Sequence, residues 1–483
     1  MACRGSSPYL IRRKERLLAI RDHLAQNLEH YLRRNRSFHE QDRLYLRHLV
    51  PEGVRVLELG CGNGDRLAAL KPVRGVGVEL SPRLAAMARE RHPNLEFIAG
   101  DIDQEGCLTP VQGPFDVIIL GDVIGQLEDC QATLERLHTL CMRETRLIVT
   151  YHAWIWSPIL KLAGWLGLRI PDVELNWMSS EDILALLTLA GFESVRREWR
   201  ILLPRGLFGL GGVINRYIGT LPLIQRLCLR NYIVARSWRQ ASARELSTSV
   251  LIPCRNEQGN IAAAVARMPR FCAQLELIFI EGHSQDDTHA ECLRIQAANP
   301  AWTIEVLRQK GKGKGDAVRT GLDAAKGEVI MILDADLTVP PEELPKFYQA
   351  IASGQGEYIQ GTRMIYPMEN DAMRFLNFLA NRAFSHIFTW LLNQRYTDTL
   401  CGTKVLLREH FVRAFALRGF FGNLDPFGDF DLILGANKMN LKMVEIPVRY
   451  AARSYGETQI SRFRHGFLLL RMVAVAYRKL KAI

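Results

Sequence analysis

Two sets of residues have types and spacing suited to chemistry. Gly60, Gly62 and Gly64 alternate through Glu58-Leu59-Gly60-Cys61-Gly62-Asn63-Gly64, directly after an apolar run. A glycine turn between a strand and a helix lets main-chain N–H groups and the backbone itself approach a ligand closely. Glu79 ends a second apolar run, where a carboxylate can accept both hydroxyls of a ribose. Asp101 follows Gly100 after a third run, where an acceptor can take an adenine amino group. A dinucleotide site would share much of this but asks for a GxGxxG spacing, which is absent. The second set is Asp334-Ala335-Asp336 at the end of Val329–Leu333. Side chains alternate along a strand, so both carboxylates face one way and can share a hard cation with diphosphate oxygens.

These residues need elements to hold them. Val54–Leu59, Val73–Glu79, Leu95–Ala99, Phe115–Leu120 and Leu147–Thr150 read as buried strands, with helical segments Leu84–Arg91 and Ala132–Leu140 between them. Alternating strands and helices imply a parallel, doubly wound α/β sheet. Ser180–Ala190 reads as a further helix, capped by Ser179 or Ser180 and stopped at Gly191. Tyr232–Ala235 is strand-like. A second series runs through Thr248–Ile252, Leu275–Ile280, Ile304–Leu307 and Val329–Leu333. The organisation expected is a basic helical region at 1–50, one α/β domain at 51–236, a linker at 237–246 and a second α/β domain at 247–483.

The net charge of +11 is uneven. Residues 1–50 carry 11 Lys/Arg against 5 Asp/Glu, residues 446–483 carry 8 against 1, and the remainder is left at −2. Both ends are also amphipathic: Leu10, Leu17, Leu24 and Tyr31 recur every seventh residue, and Phe467–Leu470 runs into Met472, Val473 and Val475 among arginines. Such ends suit an anionic membrane surface, or a helix packed on its own domain. No aromatic-interleaved basic sheet or zinc-finger spacing points to nucleic acid. Ten cysteines without CxxC spacing suit a reduced, cytoplasmic chain, and the start reads as no signal peptide. No apolar run is long enough to span a bilayer.

Glu58–Gly64, Glu79, Gly100-Asp101, Phe115-Asp116 and Trp177–Ile183 with Ala190-Gly191-Phe192 resemble a class I S-adenosylmethionine-dependent methyltransferase over about residues 40–236. The resemblance implies a Rossmann-like domain that holds S-adenosyl-L-methionine with Glu58, Gly60, Gly62, Gly64, Glu79 and Asp101, with Ile102 beside the adenine or in plain core. Methyl transfer from a sulfonium is a matter of positioning and requires no metal. The methyl acceptor is not legible. His152 is a general-base candidate or a pocket-lining residue, and Asp122 stands with the same two alternatives. Trp154, Trp156, Trp165 and Trp177 line an acceptor pocket or pack helices.

Val250–Glu257, Leu277–Ser284, Gly311–Ala317, the Asp334–Asp336 pair, Gly361–Arg363, Asn381-Arg382, Asp398–Lys404 and Arg453–Thr458 occur in an order that resembles a family 2 GT-A glycosyltransferase, in its polyprenyl-phosphate (dolichyl-phosphate) mannosyltransferase branch. The resemblance covers about residues 247–470. It implies a nucleotide-sugar site at Pro253, Asn256, Glu257, Glu281, Lys314, Asp334 and Arg363, with Mg²⁺ or Mn²⁺ on Asp334 and Asp336. Arg363, Arg382 and Arg453 match positions that meet donor or acceptor phosphates, with Ser385 assisting, while a surface ion pair is the alternative for each of the three arginines. The implied partners are a donor of GDP-mannose or UDP-glucose type and a lipid phosphate or glycan acceptor. Glu281 and Thr338 depart from the branch, where an Asp-Asp pair and a Gln are usual. A phosphate acceptor needs no base. A hydroxyl acceptor needs one, with Asp429 first choice and Asp431 second. The Ala372–Leu392 segment is expected to guide a lipid. The expected whole is a bifunctional enzyme at a membrane face; the alternative keeps the glycosyltransferase with a hydroxyl acceptor and makes the N-terminal domain a binding or scaffolding module.

Overall fold

The computed structural model describes residues 8–167, 176–240, 243–367, 375–422, 428–453, 455 and 462–483. Ser454 and Gly456–Thr458 of the last motif lie outside them, as does the start of the Ala372–Leu392 segment. The chain divides into two compact units, Met1–Gln240 with Lys481–Ile483, and Ala241–Leu480.

The first unit opens with helices α1 (Pro8–Arg34) and α2 (Arg36–Leu49). A doubly wound series follows: β1 (Arg55–Leu59), α3 (Asp65–Ala69), β2 (Arg74–Glu79), α4 (Pro82–Arg91), β3 (Glu96–Ala99), β4 (Phe115–Gly121), α5 (Cys130–Arg136), β5 (Cys141–His152), α6 (Ser157–Trp165), α7 (Ser180–Leu189), β6 (Phe192–Arg200), the single turn α8 (Leu210–Val213) and β7 (Arg230–Ser237). The strand order is β3-β2-β1-β4-β5-β7-β6, parallel except for β7, which runs against both of its neighbours. Its parallel strands β1 and β4 are near-continuous apolar runs, as expected where both faces of a sheet are covered. The start of α7 is a capping box: Ser179 Oγ accepts from the Asp182 N–H and the Asp182 carboxylate accepts from the Ser179 N–H.

The second unit contains β8 (Thr248–Cys254), α9 (Gln258–Ala266), β9 (Leu275–Glu281), α10 (Thr288–Ala298), β10 (Thr303–Arg308), α11 (Lys314–Ala324), β11 (Val329–Ile332), α12 (Leu344–Ala352), β12 (Tyr358–Thr362), α13 (Phe375–Leu392), β13 (Lys404–Leu407), α14 (Arg408–Ala416), α15 (Arg418–Phe421), α16 (Asp429–Lys438), β14 (Met443–Pro447) and α17 (Arg462–Ala476). The order is β10-β9-β8-β11-β13-β12-β14, with β13 alone antiparallel to its neighbours. Two apolar layers sandwich the sheet, one around Phe279, Phe347 and Leu344, the other around Phe388, Phe411 and Phe430.

Three expectations change here. The last three residues belong to the first unit, because Lys481 pairs with buried Glu198 at 3.2 Å and Ile483 packs beside Tyr45 and Val234. The basic amphipathic ends serve their own domains in part: α1 buries Leu17 and Leu28 and α17 buries Leu469, Met472 and Ala476, while Tyr9, Ile11, Phe467 and Leu470 stay exposed. In α13, Phe388, Leu391 and Leu392 lie in the core with Ile387 and Trp390 packed against it, so most of the described apolar face of that helix serves its own fold. Among the described residues no helix is long and apolar enough to cross a membrane.

Candidate functional sites

In the first unit the glycine turn leaves β1 with Gly60, Gly62 and Gly64 all at positive φ. A Cβ on Gly60 would lie 2.1 Å from Val123 Cγ1, whereas one on Gly62 would meet nothing within 4 Å, so the turn is walled behind and open in front. Glu79, buried at the end of β2, accepts from the N–H groups of Gly62 (2.9 Å) and Ser81 (3.1 Å). A cleft joins Gly60, Glu79, Gly100, Asp101 and Ile102 and is closed on another side by Lys14, Leu17 and Arg21 of α1. Its glycine wall and carboxylate corners suit an adenosyl cofactor. Lys14 Nζ stands 2.7 Å from Asp101 and 2.5 Å from Asp103, which the sequence reading missed because the partners lie about ninety residues apart.

Glu58 is fully buried and ion-paired to Arg66. Burial raises its pKa despite that partner, and its Oε2 lies buried without a hydrogen-bond partner. Arg66 also reaches Asp122 (3.4 Å), and Arg230, fully buried on β7, joins Asp122 to Asp42 of α2 (2.8 Å). Burial alone would raise the Asp122 pKa, but Arg230, His152 and Arg66 hold it well below the usual carboxylate range. Asp122 sits at φ +62 directly after β4, a conformation a non-glycine residue adopts only when its surroundings enforce it. His152 Nδ1 is 3.7 Å from Asp122, and its ring stacks on Phe38. A second cavity is lined by Asp122, Tyr151, His152, Trp177 and Met178. Trp177 therefore lines a pocket, whereas Trp154 and Trp165 are exposed.

In the second unit the ends of β8, β9 and β11 bring charged groups together. Asn256, at φ +56, accepts from the Gln285 N–H (2.7 Å). Glu281 accepts from the Ser284 N–H at 2.5 Å. Glu257 accepts from Asn260 (2.6 Å), and burial raises its pKa to about 6. Asp334 pairs with Lys314 (2.6 Å); burial opposes its ionisation, but Lys314 holds its pKa low. Asp336 pairs with Arg453 (2.5 Å) and accepts from the Thr338 hydroxyl (2.9 Å), so Thr338 orients the carboxylate. Asp429, first residue of α16, meets the fully buried Lys404 at 2.9 Å and Lys314 at 3.9 Å. Gly402 completes the cluster: a Cβ there would lie 1.9 Å from Asp334 Oδ2. Lys404 and Gly402 carry no distinct signal outside their motif.

Four expected site residues do not pair within this cluster. Arg363 makes a two-pronged ion pair with buried Asp398 (2.7 and 2.8 Å), so its guanidinium is committed to the fold. Ser385 donates to the Arg382 carbonyl (2.7 Å) inside α13 and is buried there. Asp431 is buried 3.3 Å from Arg418. Arg382 lies exposed on α13. Among the described residues no group of three or more His, Cys, Asp or Glu is arranged for a metal. Two carboxylates together with substrate phosphate oxygens are a usual Mg²⁺ environment, and Asp334 with Asp336 fits it.

Comparison with known proteins agrees with this division. A methyltransferase domain model matches residues 14–197, and the glycosyl transferase family 2 model matches residues 249–415. The undecaprenyl-phosphate 4-deoxy-4-formamido-L-arabinose transferase of Erwinia tasmaniensis is 29% identical over 217 residues, covering 44% of this chain and 62% of that protein. Its namesake from Klebsiella pneumoniae strain 342 is 27% identical over 220 residues, covering 45% and 63%. The chain thus spans less than two thirds of the length of these relatives. Among solved structures, glucosyl-3-phosphoglycerate synthase from Mycobacterium tuberculosis, in complex with Mn²⁺, uridine diphosphate and glucosyl-3-phosphoglycerate, gives a TM-score of 0.37 at 16% identity over 50% of this chain and 83% of its own. A SAM-dependent methyltransferase, possible histamine N-methyltransferase, from Thermotoga maritima gives 0.35 at 18% identity over 46% and 99%. The glycine-turn cleft lies inside one matched region, and Lys314, Asp334, Asp336 and Lys404 lie inside the other, with Asp429 and Arg453 beyond it; the chain thus carries a methyltransferase domain and a glycosyl transferase family 2 domain.

Proposed function

We propose that the chain transfers a sugar from a nucleotide-sugar donor to a polyprenyl phosphate at a membrane face, and a methyl group from S-adenosylmethionine to a second acceptor. The observation that carries the sugar reading is the cluster of Asp334, Asp336, Lys314, Arg453, Lys404 and Asp429 at the ends of the strands. The relatives that act on undecaprenyl phosphate support the acceptor class. Asn256, Glu257 and Glu281 at the ends of β8 and β9 suit the nucleoside of a GDP-mannose or UDP-glucose type donor.

Glycosyl transfer builds negative charge on the departing diphosphate. Lys314 and Arg453, already beside the two carboxylates, are placed to share it. Mg²⁺ or Mn²⁺ on Asp334 and Asp336 would supply further positive charge to the same oxygens. Attack from the opposite face of the anomeric carbon inverts it. Asp429 stands 2.9 Å from the Lys404 ammonium, and a phosphate acceptor would need no base. In the first unit the glycine turn, Glu79 and Asp101 would hold the methyl donor. Asp122, kept ionised by Arg230, stands beside His152, the group placed to take a proton from the methyl acceptor.

The test is product analysis by mass spectrometry. Full-length chain is incubated with undecaprenyl phosphate, Mg²⁺ or Mn²⁺, and a panel of nucleotide sugars. The reading expects a glycosyl phospholipid that disappears with EDTA and with Asp334→Ala. Equal product from wild type and Asp334→Ala would refute it.

A further inference from the structure

The amphipathic ends are drawn in part into their own domains, yet the first unit exposes a large apolar surface elsewhere. Helix α6 buries none of its nine residues, although it carries Ile159, Leu162 and Trp165. The segment 201–229 exposes Phe208 completely and Leu223 at 85%, with Leu210 and Val213 beside them in sequence. Hydrogen bonds join the two segments: Trp156 Nε1–H donates to the Leu227 carbonyl (2.8 Å) and the Ala153 N–H to the Leu229 carbonyl (2.8 Å). Phe208 is moreover held at φ +54, so the backbone is strained where it presents a bare aromatic ring. Exposed apolar and aromatic side chains on two segments joined by hydrogen bonds suit an interaction site.

Charge names the partner. Residues 153–167 and 201–229 contain Lys161, Arg205, Arg216 and Arg226 and no Asp or Glu at all. Apolar and aromatic side chains interspersed only with cations match the interfacial layer of an anionic bilayer, where rings settle at headgroup depth and cations meet lipid phosphates. A protein partner would more usually be met by charges of both signs around the rim. We propose that α6 and the 201–229 segment form a monotopic docking surface for an anionic lipid bilayer. This rests on the membrane-face reading above and relocates its anchor from the chain ends to the methyltransferase unit. His152, which lines the candidate acceptor cavity, directly precedes this surface in sequence.

The test is co-sedimentation of the full chain with vesicles of phosphatidylcholine alone and of phosphatidylcholine with phosphatidylglycerol in equal parts. Wild type is expected to bind the mixed vesicles. Trp165→Glu/Phe208→Glu/Leu223→Glu, all at exposed positions, is expected to lower the partition coefficient roughly hundredfold without changing the melting temperature. Val73→Glu is the control: Val73 is also a well-exposed apolar residue but precedes β2, at the opposite edge of the parallel strands from the residues that follow β5. Its binding is expected to equal that of wild type. If wild type binds and the triple variant binds equally well, this surface is not the anchor while the membrane reading stands. If wild type ignores vesicles, both fail. Ignoring vesicles but self-associating, with loss of dimer in the triple variant, would assign the surface to a second copy and overturn the lipid proposal.

Discussion

Gly402→Ala is the sharpest perturbation of the sugar site. The added Cβ would lie 1.9 Å from Asp334 Oδ2 and 2.7 Å from Lys314 Nζ, against an ordinary contact of about 3.4 Å. The carboxylate oxygen Oδ2 must therefore move by about 1.5 Å, and Lys314 Nζ, which holds Oδ1 at 2.6 Å, must shift as well. A displacement of about 1 Å at a reacting centre costs on the order of 100-fold in rate, equivalent to ~2.7 kcal/mol of barrier. Folding should hardly notice. Gly402 is not in the left-handed region, and Asp334, with its side chain 38% exposed, can swing toward solvent. The expected change in stability is within about 1 kcal/mol. The assay is metal-dependent turnover of the nucleotide sugar, with kcat and KM separated and a melting curve beside it. A roughly 100-fold fall in kcat at unchanged melting temperature is expected. A kcat within threefold of wild type would show that the position of Asp334 does not matter, and the site reasoning would fall.

Other predictions follow from the buried charges and the glycine turn. Lys481 is buried, and burial lowers its pKa to about 8 in spite of Glu198, because Arg200 and Arg196 compete for that carboxylate. Its folded pKa lies below the unfolded 10.5, so the folded state holds fewer protons between about pH 8 and 10.5 and stability rises with pH across that window; below it the full penalty, about 3 kcal/mol, is present. Lys481→Met should therefore stabilise the first unit by about 1–3 kcal/mol at pH 7 and flatten its stability between pH 8 and 10.5; denaturant melts that coincide with wild type across the range would contradict this. Arg230→Met strands Asp42 and Asp122 in the interior and should cost about 3–5 kcal/mol by chemical denaturation, and a loss below 1 kcal/mol would mean the network is solvated. Gly60→Ala, which collides with Val123, should abolish S-adenosylmethionine binding by calorimetry together with part of the unit's stability, and undiminished binding would remove the turn from the cofactor site.

The sequence was most legible where local pattern and burial agree. The apolar runs at β1, β2, β8 and β9 appear as strands within a residue or two of expectation, and the Ser179 cap and Gly191 stop frame α7. Strand β6 was not legible because Phe192–Arg200 is full of charge: Arg196, Glu198 and Arg200 are buried, satisfied by Tyr45 and Lys481 from distant parts of the chain. No periodicity announces a strand whose polar residues are paid for across such separations. Burial of the amphipathic ends was also hidden, since a heptad stripe looks the same whether it meets lipid or its own core. For the candidate sites, motif order located Lys314, Asp334, Asp336, Arg453 and Asp429 together. It could not show the ion pairs of Arg363 with Asp398 and of Asp431 with Arg418, because those partners are fixed only by the tertiary fold.

The central claim is that one chain carries two separate donor sites. Equilibrium titration of S-adenosylmethionine, and of nucleoside diphosphate with Mg²⁺, against wild type, Gly60→Ala and Asp334→Ala/Asp336→Ala tests it directly. The account predicts that wild type binds both ligands, that Gly60→Ala loses only S-adenosylmethionine, and that the double aspartate variant loses only the metal-dependent nucleotide. Absence of either ligand from the wild-type chain, or loss of nucleotide binding on Gly60→Ala with the second unit still folded, would contradict it.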